Sequence, residues 1–312
     1  MSMQSPASWH SVADALPMLR DVVSWQPIRE WSLSSVHRIT LQSGQTAIAK
    51  RSSNSLKGEL AFYQSVLSPL GVEHPQMYAG TQTDTHYFVL MEDLGEETLE
   101  QQPSPQHFIA AAGKLAQIHA AATRGIREYK ITNETWEKHY QAGQAFTRDA
   151  TFLTRYTGLS HSDRSLLQDV ANLLPSELES LYSECPVTLV HCDYYAKNLI
   201  ICGDDIRVID WTNAYFSPHL GDVYGLCREG SNAGIAKNDI VTAYCRSVGD
   251  TLGNKDTLPW RIYLGGVCWS VQAIRWVLTQ GVHFIPGSEA WIPDMIQDLQ
   301  SALADLRECA RT

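Results

Sequence analysis

Of the seven cysteines, at positions 185, 192, 202, 227, 245, 268 and 309, no two form a Cys-x-x-Cys pair, so neither a disulfide framework nor a zinc knuckle is implied. Positive charge is also short. The chain sets 24 Lys and Arg against 34 Asp and Glu, a formal net charge of −10, and shows no basic patch that would draw nucleic acid or an anionic membrane. No apolar run reaches the ~18 residues of a membrane helix, and no basic stretch followed by an apolar one opens the chain. Internal repeats and low-complexity segments are missing. These absences lead to the expectation of a reduced, cytoplasmic protein without nucleic-acid or membrane partners. The acidity reads first as a solvating surface, although it is compatible with a cationic substrate.

What remains is an ordinary globular mixture, 44% hydrophobic and 19% charged, in 312 residues that can bury a substantial core as one large domain or two lobes. Within it one stretch carries chemistry. From Pro186 to Thr212, short apolar runs at 187–190, 199–202 and 206–209 read as strands, with Gly203-Asp204-Asp205 turning between the last two. Their tips carry His191, Asp193, Asn198 and Asp210. Phosphoryl transfer needs such a set, because a hydroxyl must be aimed at a γ-phosphate while metal neutralises the phosphate oxygens. Asp193 can take the hydroxyl proton, and Asn198 and Asp210 offer hard oxygen ligands suited to Mg²⁺. His191 reads as a core histidine holding the loop. A competing reading, a hydrolytic metal centre built from His191, Asp193 and Asp210, leaves Asn198 unexplained.

The pattern His191-x-Asp193-x-x-x-x-Asn198, followed twelve residues later by Asp210 in Ile209-Asp210-Trp211, resembles the aminoglycoside phosphotransferase and choline kinase family, relatives of the protein kinases. Cys192 stands where protein kinases have Arg and Trp211 where they have Phe, which favours the small-molecule branch. The rest of the chain fits this resemblance. Residues 1–25 carry a weak helical pattern at Val12, Leu16, Leu19 and Val23, expected to pack on the first lobe. Runs at 28–33, 36–41 and 46–50 read as three antiparallel strands, and those at 77–81 and 87–92 as two more. Leu56, Leu60, Tyr63 and Leu67 mark one helix face.

The resemblance implies a two-lobed, protein kinase-like α+β fold. Residues 1–93 would form a nucleotide-binding lobe with an antiparallel sheet and one helix, and residues 94–312 a mainly helical catalytic and acceptor-binding lobe. Lys50, ending Ala47-Ile48-Ala49-Lys50, takes the place of the phosphate-binding lysine, and Glu59 that of its ion-pair partner. Where nucleotide kinases usually carry loop glycines, this chain has Leu33-Ser34-Ser35, so Ser34 and Ser35 would face the phosphates of ATP or another nucleoside triphosphate. Met91-Glu92-Asp93-Leu94-Gly95 resembles the linker whose backbone binds the adenine edge, at Glu92 and Leu94, with Glu92 and Asp93 as solvated side chains.

Beyond the linker the period turns helical. Ser104-Pro105 signals a helix start, Pro175 is taken to open another, and residues 257–280 and 288–310 form two more. His119 reads as structural, Asp222 as the cap of its own helix, and the aromatics of residues 125–185 as core or as part of an acceptor pocket. The implied activity is ATP- and Mg²⁺-dependent transfer of the γ-phosphate to a hydroxyl of a small molecule: an aminoglycoside, a choline-like amino-alcohol, a sugar or similar. The alternative is a nucleotide-binding protein of the same fold without turnover.

Overall fold

The computed structural model describes residues 6–31, 34–53 and 58–309. Leu33 and Leu56 lie outside the described residues, as do residues 1–5 of the leading segment. Five strands, β1 (Val22–Glu30), β2 (Ser34–Leu41), β3 (Thr46–Ser53), β4 (Met77–Gln82) and β5 (His86–Glu92), pair antiparallel in the order β1-β2-β3-β5-β4. Gly44, at φ +86°, supplies the left-handed turn between β2 and β3.

The helix expected over residues 1–25 is only partly present. Helical order is confined to α1 (Ala7–His10) and a 3₁₀ turn over Pro17–Asp21, and Val23 lies in β1 instead. Pro17 cannot continue a helix, and the Val22-Val23 pair favours a strand. Trp9, Val12 and Leu16 nonetheless pack on one face of the sheet, with Trp25, Ile39, Ala47, Ala49, Phe88 and Leu90. The Trp9 ring lies 5.4 Å from Trp25 and 5.1 Å from Phe88.

The other face receives α2 (Glu59–Phe62), a π-helical turn over Tyr63–Leu67 and α3 (Ser68–Leu70), stopped by Gly71 at φ +68°. Gly80 of β4 allows the close approach, since a Cβ there would meet Leu60 at 2.3 Å. The far side of this helical segment does not belong to the sheet's own core. Phe62, Tyr63, Val66, Leu67 and Leu70 join the larger apolar cluster of the second lobe.

That lobe begins with α4 (Pro105–Arg127), whose N-cap Ser104 accepts from the His107 amide at 3.2 Å. It continues through α5 (Asn133–His139), α6 (Gly143–Thr154) and α7 (His161–Glu184). Pro175 opens no helix. It lies inside α7, whose start is fixed by a capping box between Ser160 and Asp163. Two small antiparallel pairs follow, β6 (Thr188–Val190) with β9 (Tyr215–Ser217) and β7 (Leu199–Cys202) with β8 (Asp205–Val208). Then come α8 (Gly221–Asn232), α9 (Lys237–Val248), α10 (Leu258–Trp276), α11 (Val282–Phe284) and α12 (Ile292–Cys309). Helices α8 and α10 touch backbone to backbone, because a Cβ on Gly265 would lie 2.4 Å from the Gly221 nitrogen. Arg261 of α10 is fully buried and donates to the carbonyls of Pro186, Pro218 and Leu252, which ties three connections to one guanidinium. No helix among the described residues is long and apolar enough to cross a membrane.

Candidate active site

Strand β6 ends at Val190, and after His191 the chain turns through Cys192 at φ +69° to present Asp193. What holds this bend is Asp222. Its carboxylate accepts from the backbone N–H of His191 at 2.6 Å and of Cys192 at 2.9 Å, with His119 Nε2 3.8 Å away. Asp222 was expected to cap its own helix. Instead, from the first turn of α8, it spends both oxygens on the neighbouring loop. Burial alone would raise its pKa, but the His119 contact and the loop amide outweigh that and hold it below the usual carboxylate range. His119 is structural, bonded through Nδ1 to the Tyr244 hydroxyl at 2.6 Å.

His191 is buried and uses both ring nitrogens. Nδ1 accepts from the Asp193 amide at 3.2 Å and Nε2 donates to the Ile209 carbonyl at 3.1 Å. It therefore joins the loop that carries Asp193 to the strand end that carries Asp210, and has no nitrogen left for a metal. This removes the hydrolytic-metal reading. Among the described residues, no three His, Cys, Asp or Glu side chains converge to hold a metal unaided.

Asp193 lies between two donors. Asn198 Nδ2 donates to its backbone carbonyl and to Oδ2, both at 2.9 Å, while Lys197 Nζ stands 3.4 Å from Oδ1. Burial pushes the Asp193 carboxyl up, and Lys197 opposes that shift. Asp210, at φ +63°, turns its carboxylate into the space between the lobes. There Oδ1 accepts from Thr212 Oγ1 at 2.9 Å and from Lys50 Nζ at 3.0 Å. Lys50 also reaches Glu59 Oε2 at 2.7 Å, and Tyr63 donates to Glu59 Oε1 at 3.2 Å. One buried ammonium thus joins residues separated by 160 positions. Burial would lower the Lys50 pKa, but the two carboxylates outweigh it and raise it. Asp210 is held well below the carboxylate range by that same lysine, and burial raises Glu59.

These residues fit a divalent cation. The Asn198 amide nitrogen is committed to Asp193, which leaves Asn198 Oδ1 and the second Asp210 oxygen as hard oxygen donors of the kind such a cation takes.

On the nucleotide side the register divides the two serines. Val36 and Val89 pair with Lys50 across the sheet, and Ser34 pairs with Ser52, so Ser34 shares the Lys50 face by strand alternation. Ser35 belongs to the opposite face, is buried, and can offer only its backbone to the cleft. Leu94 lies two residues past the end of β5, and its carbonyl accepts from the Cys202 thiol at 3.7 Å. Glu92 is not free in solvent, because its carboxylate takes the Gln76 amide at 2.9 Å and lies 3.7 Å from Arg207. Asp93 departs furthest from a solvated linker residue. It is held in two places by Arg38 of β2, at 2.6 and 3.0 Å, and Arg38 also pairs with Glu96.

Sequence reasoning passed over Arg38, Lys197 and Arg228. Lys197 alone carried a local signal, its spacing of four from Asp193. Of the aromatics in residues 125–185, Phe146 is core, whereas Trp136 stacks on Tyr140 at 4.8 Å and on Phe216 at 5.2 Å, beside a groove of about 800 Å³ between α6 and α7.

A family model described as "Phosphotransferase enzyme family" matches residues 24–253. Among solved structures, a choline/ethanolamine kinase family protein from Mesorhizobium loti superposes with a TM-score of 0.66 at 13% identity, covering 96% of this chain and 98% of that one. Choline kinase LicA from Streptococcus pneumoniae gives 0.63 at 12% identity over 96% and 98%. A spectinomycin phosphotransferase, solved with ADP and spectinomycin, gives 0.60 at 10% over the full length of both chains. No curated protein sequence matches. At these identities the structures establish the shared two-lobed, kinase-like fold.

Proposed function

The chain belongs to the phosphotransferase enzyme family, and from that premise we propose that it transfers the γ-phosphate of ATP to a hydroxyl of a small molecule. The observation that carries this reading is the convergence of Lys50, Glu59 and Asp210 on one ammonium, beside an Asp193 carboxylate held by Asn198. In the proposed reaction the acceptor O–H donates to Asp193. The proton passes to that carboxylate as the acceptor oxygen bonds to phosphorus, and the bond from phosphorus to the β,γ-bridging oxygen breaks to release ADP. Lys50 binds the nucleotide phosphates and Glu59 fixes its direction. Ser34 and the linker backbone at Glu92 and Leu94 border the nucleotide. Mg²⁺, held by Asn198 and Asp210, would neutralise phosphate charge when bound.

Purified protein with ATP, Mg²⁺ and a panel of amino-alcohols, aminoglycosides and sugars tests the proposal through ADP release. Acceptor-dependent ADP formation that Asp193→Asn slows by about a hundredfold or more is the expected result. Failure to bind MgATP by calorimetry would sink it.

A further inference from the structure

In the proposed reaction the acceptor hydroxyl sits on Asp193, so whatever charge surrounds Asp193 selects the atoms next to that hydroxyl. Two cations of the chain itself occupy those surroundings. Lys197 Nζ lies 3.4 Å from Asp193 Oδ1 and 5.4 Å from the centre of the Tyr195 ring. Arg228 of α8 lies over the same ring at 5.3 Å and over Trp269 at 4.9 Å, and so fills an aromatic pair that could otherwise take a ligand cation. Neither is placed by chance. Arg228 is tethered to Asp298 at 2.6 Å, and Trp269 is pinned by its indole N–H to the Cys192 carbonyl at 3.2 Å, inside the catalytic loop. The nearby carboxylates are spent as well, Asp298 on Arg228 and Glu229 on the Ala196 amide at 2.5 Å.

We infer that the acceptor is an uncharged or anionic alcohol bearing an oxygen, not an ammonium, on the carbon next to the phosphorylated hydroxyl. The inference rests on the phosphotransferase reading and narrows it. An acceptor ammonium at that carbon would compete with Lys197 for Asp193 Oδ1, setting two like charges against one carboxylate. A neighbouring hydroxyl or carboxylate instead accepts from Lys197, whose ammonium has three donors and uses one on Asp193. Lys197 is then a specificity-determining residue, able to hold substrate and base together.

The test uses the full chain with MgATP and matched acceptors that exchange one hydroxyl for one amine: glycerol and serinol; glycerate and serine; D-glucose and D-glucosamine. The oxygen-bearing members are expected to exceed their amine partners in kcat/KM by about tenfold or more. Lys197→Met should shift that ratio at least about tenfold toward the amines, and Lys197→Arg should restore it, whereas a merely structural lysine would lower both members alike. Preference of the wild type for the amines, an unchanged ratio in Lys197→Met, or MgATP binding without turnover of any oxygen-bearing member overturns the inference. Loss of MgATP binding itself strikes the phosphotransferase reading beneath it, so the two failures are told apart.

Discussion

Lys50, Asp193 and His219 illustrate how burial and partners set the behaviour of single groups. Lys50 has two carboxylate partners, so Lys50→Met leaves the buried Glu59 and the half-buried Asp210 without their cation. That variant should raise KM for MgATP and lower kcat/KM by about a hundredfold or more, read from steady-state kinetics. Asp193→Asn removes the proton acceptor and keeps the shape. It should lower kcat by about 10²–10⁴ with nucleotide affinity retained. Because burial raises the Asp193 pKa, the acid limb of kcat should lie above the ordinary carboxylate range. Removing the opposing charge in Lys197→Met should move that limb further up, visible in a pH–rate profile. His219 is buried, its pKa pushed down to about 4, while an unfolded chain protonates the same ring near 6.5. The unfolded state binds more protons between those values, so this contribution is complete above about pH 6.5 and is lost as pH falls toward 4. Melting temperature should drop across that window, and His219→Gln should flatten the drop.

At the scale of elements, α8 is the part on which the site leans. It delivers Asp222 to the loop of His191 and Cys192 and meets α10 at the contact of Gly221 with Gly265. Gly265→Ala forces backbone apart where no side chain can yield, and should cost about 3 kcal/mol by denaturant titration, the upper end for overpacking. Asp222→Ala strands two loop amides and should lower both melting temperature and kcat. The local elements show what could be read in advance. Strands β2 to β5, the Ser104 cap and the spacing of Asp193, Asn198 and Asp210 follow from alternation, capping chemistry and short-range turns, all local properties of the chain, whereas the first strand, read over 28–33, in fact starts at Val22 and ends at Glu30. The misreadings share a cause. Pro175 was given a helix start because proline favours that position, whereas the Ser160–Asp163 box had already started α7 and packing of Leu174 and Leu178 carries the helix past it. Asp93 and Asp222 were assigned to water and to a helix end, and both are taken by partners remote in sequence, Arg38 and the His191 loop, which no local pattern announces.

On the scale of the molecule, two apolar clusters divide the chain unevenly. The sheet's outer face has its own small core, while the helical segment that bears Glu59 is rooted in the large one. Further polar ties cross the same boundary. Glu73, just past that segment, pairs with Lys114 of α4 at 2.8 Å and Arg207 of β8 at 3.1 Å, and Arg207 reaches the linker at Glu92. The Lys50–Glu59 pair is therefore strung between a strand that moves with the sheet and a helix anchored in the opposite lobe. Widening of the cleft would stretch that 2.7 Å contact, so under the proposed function the lysine's grip on the phosphates and the opening of the lobes are mechanically coupled.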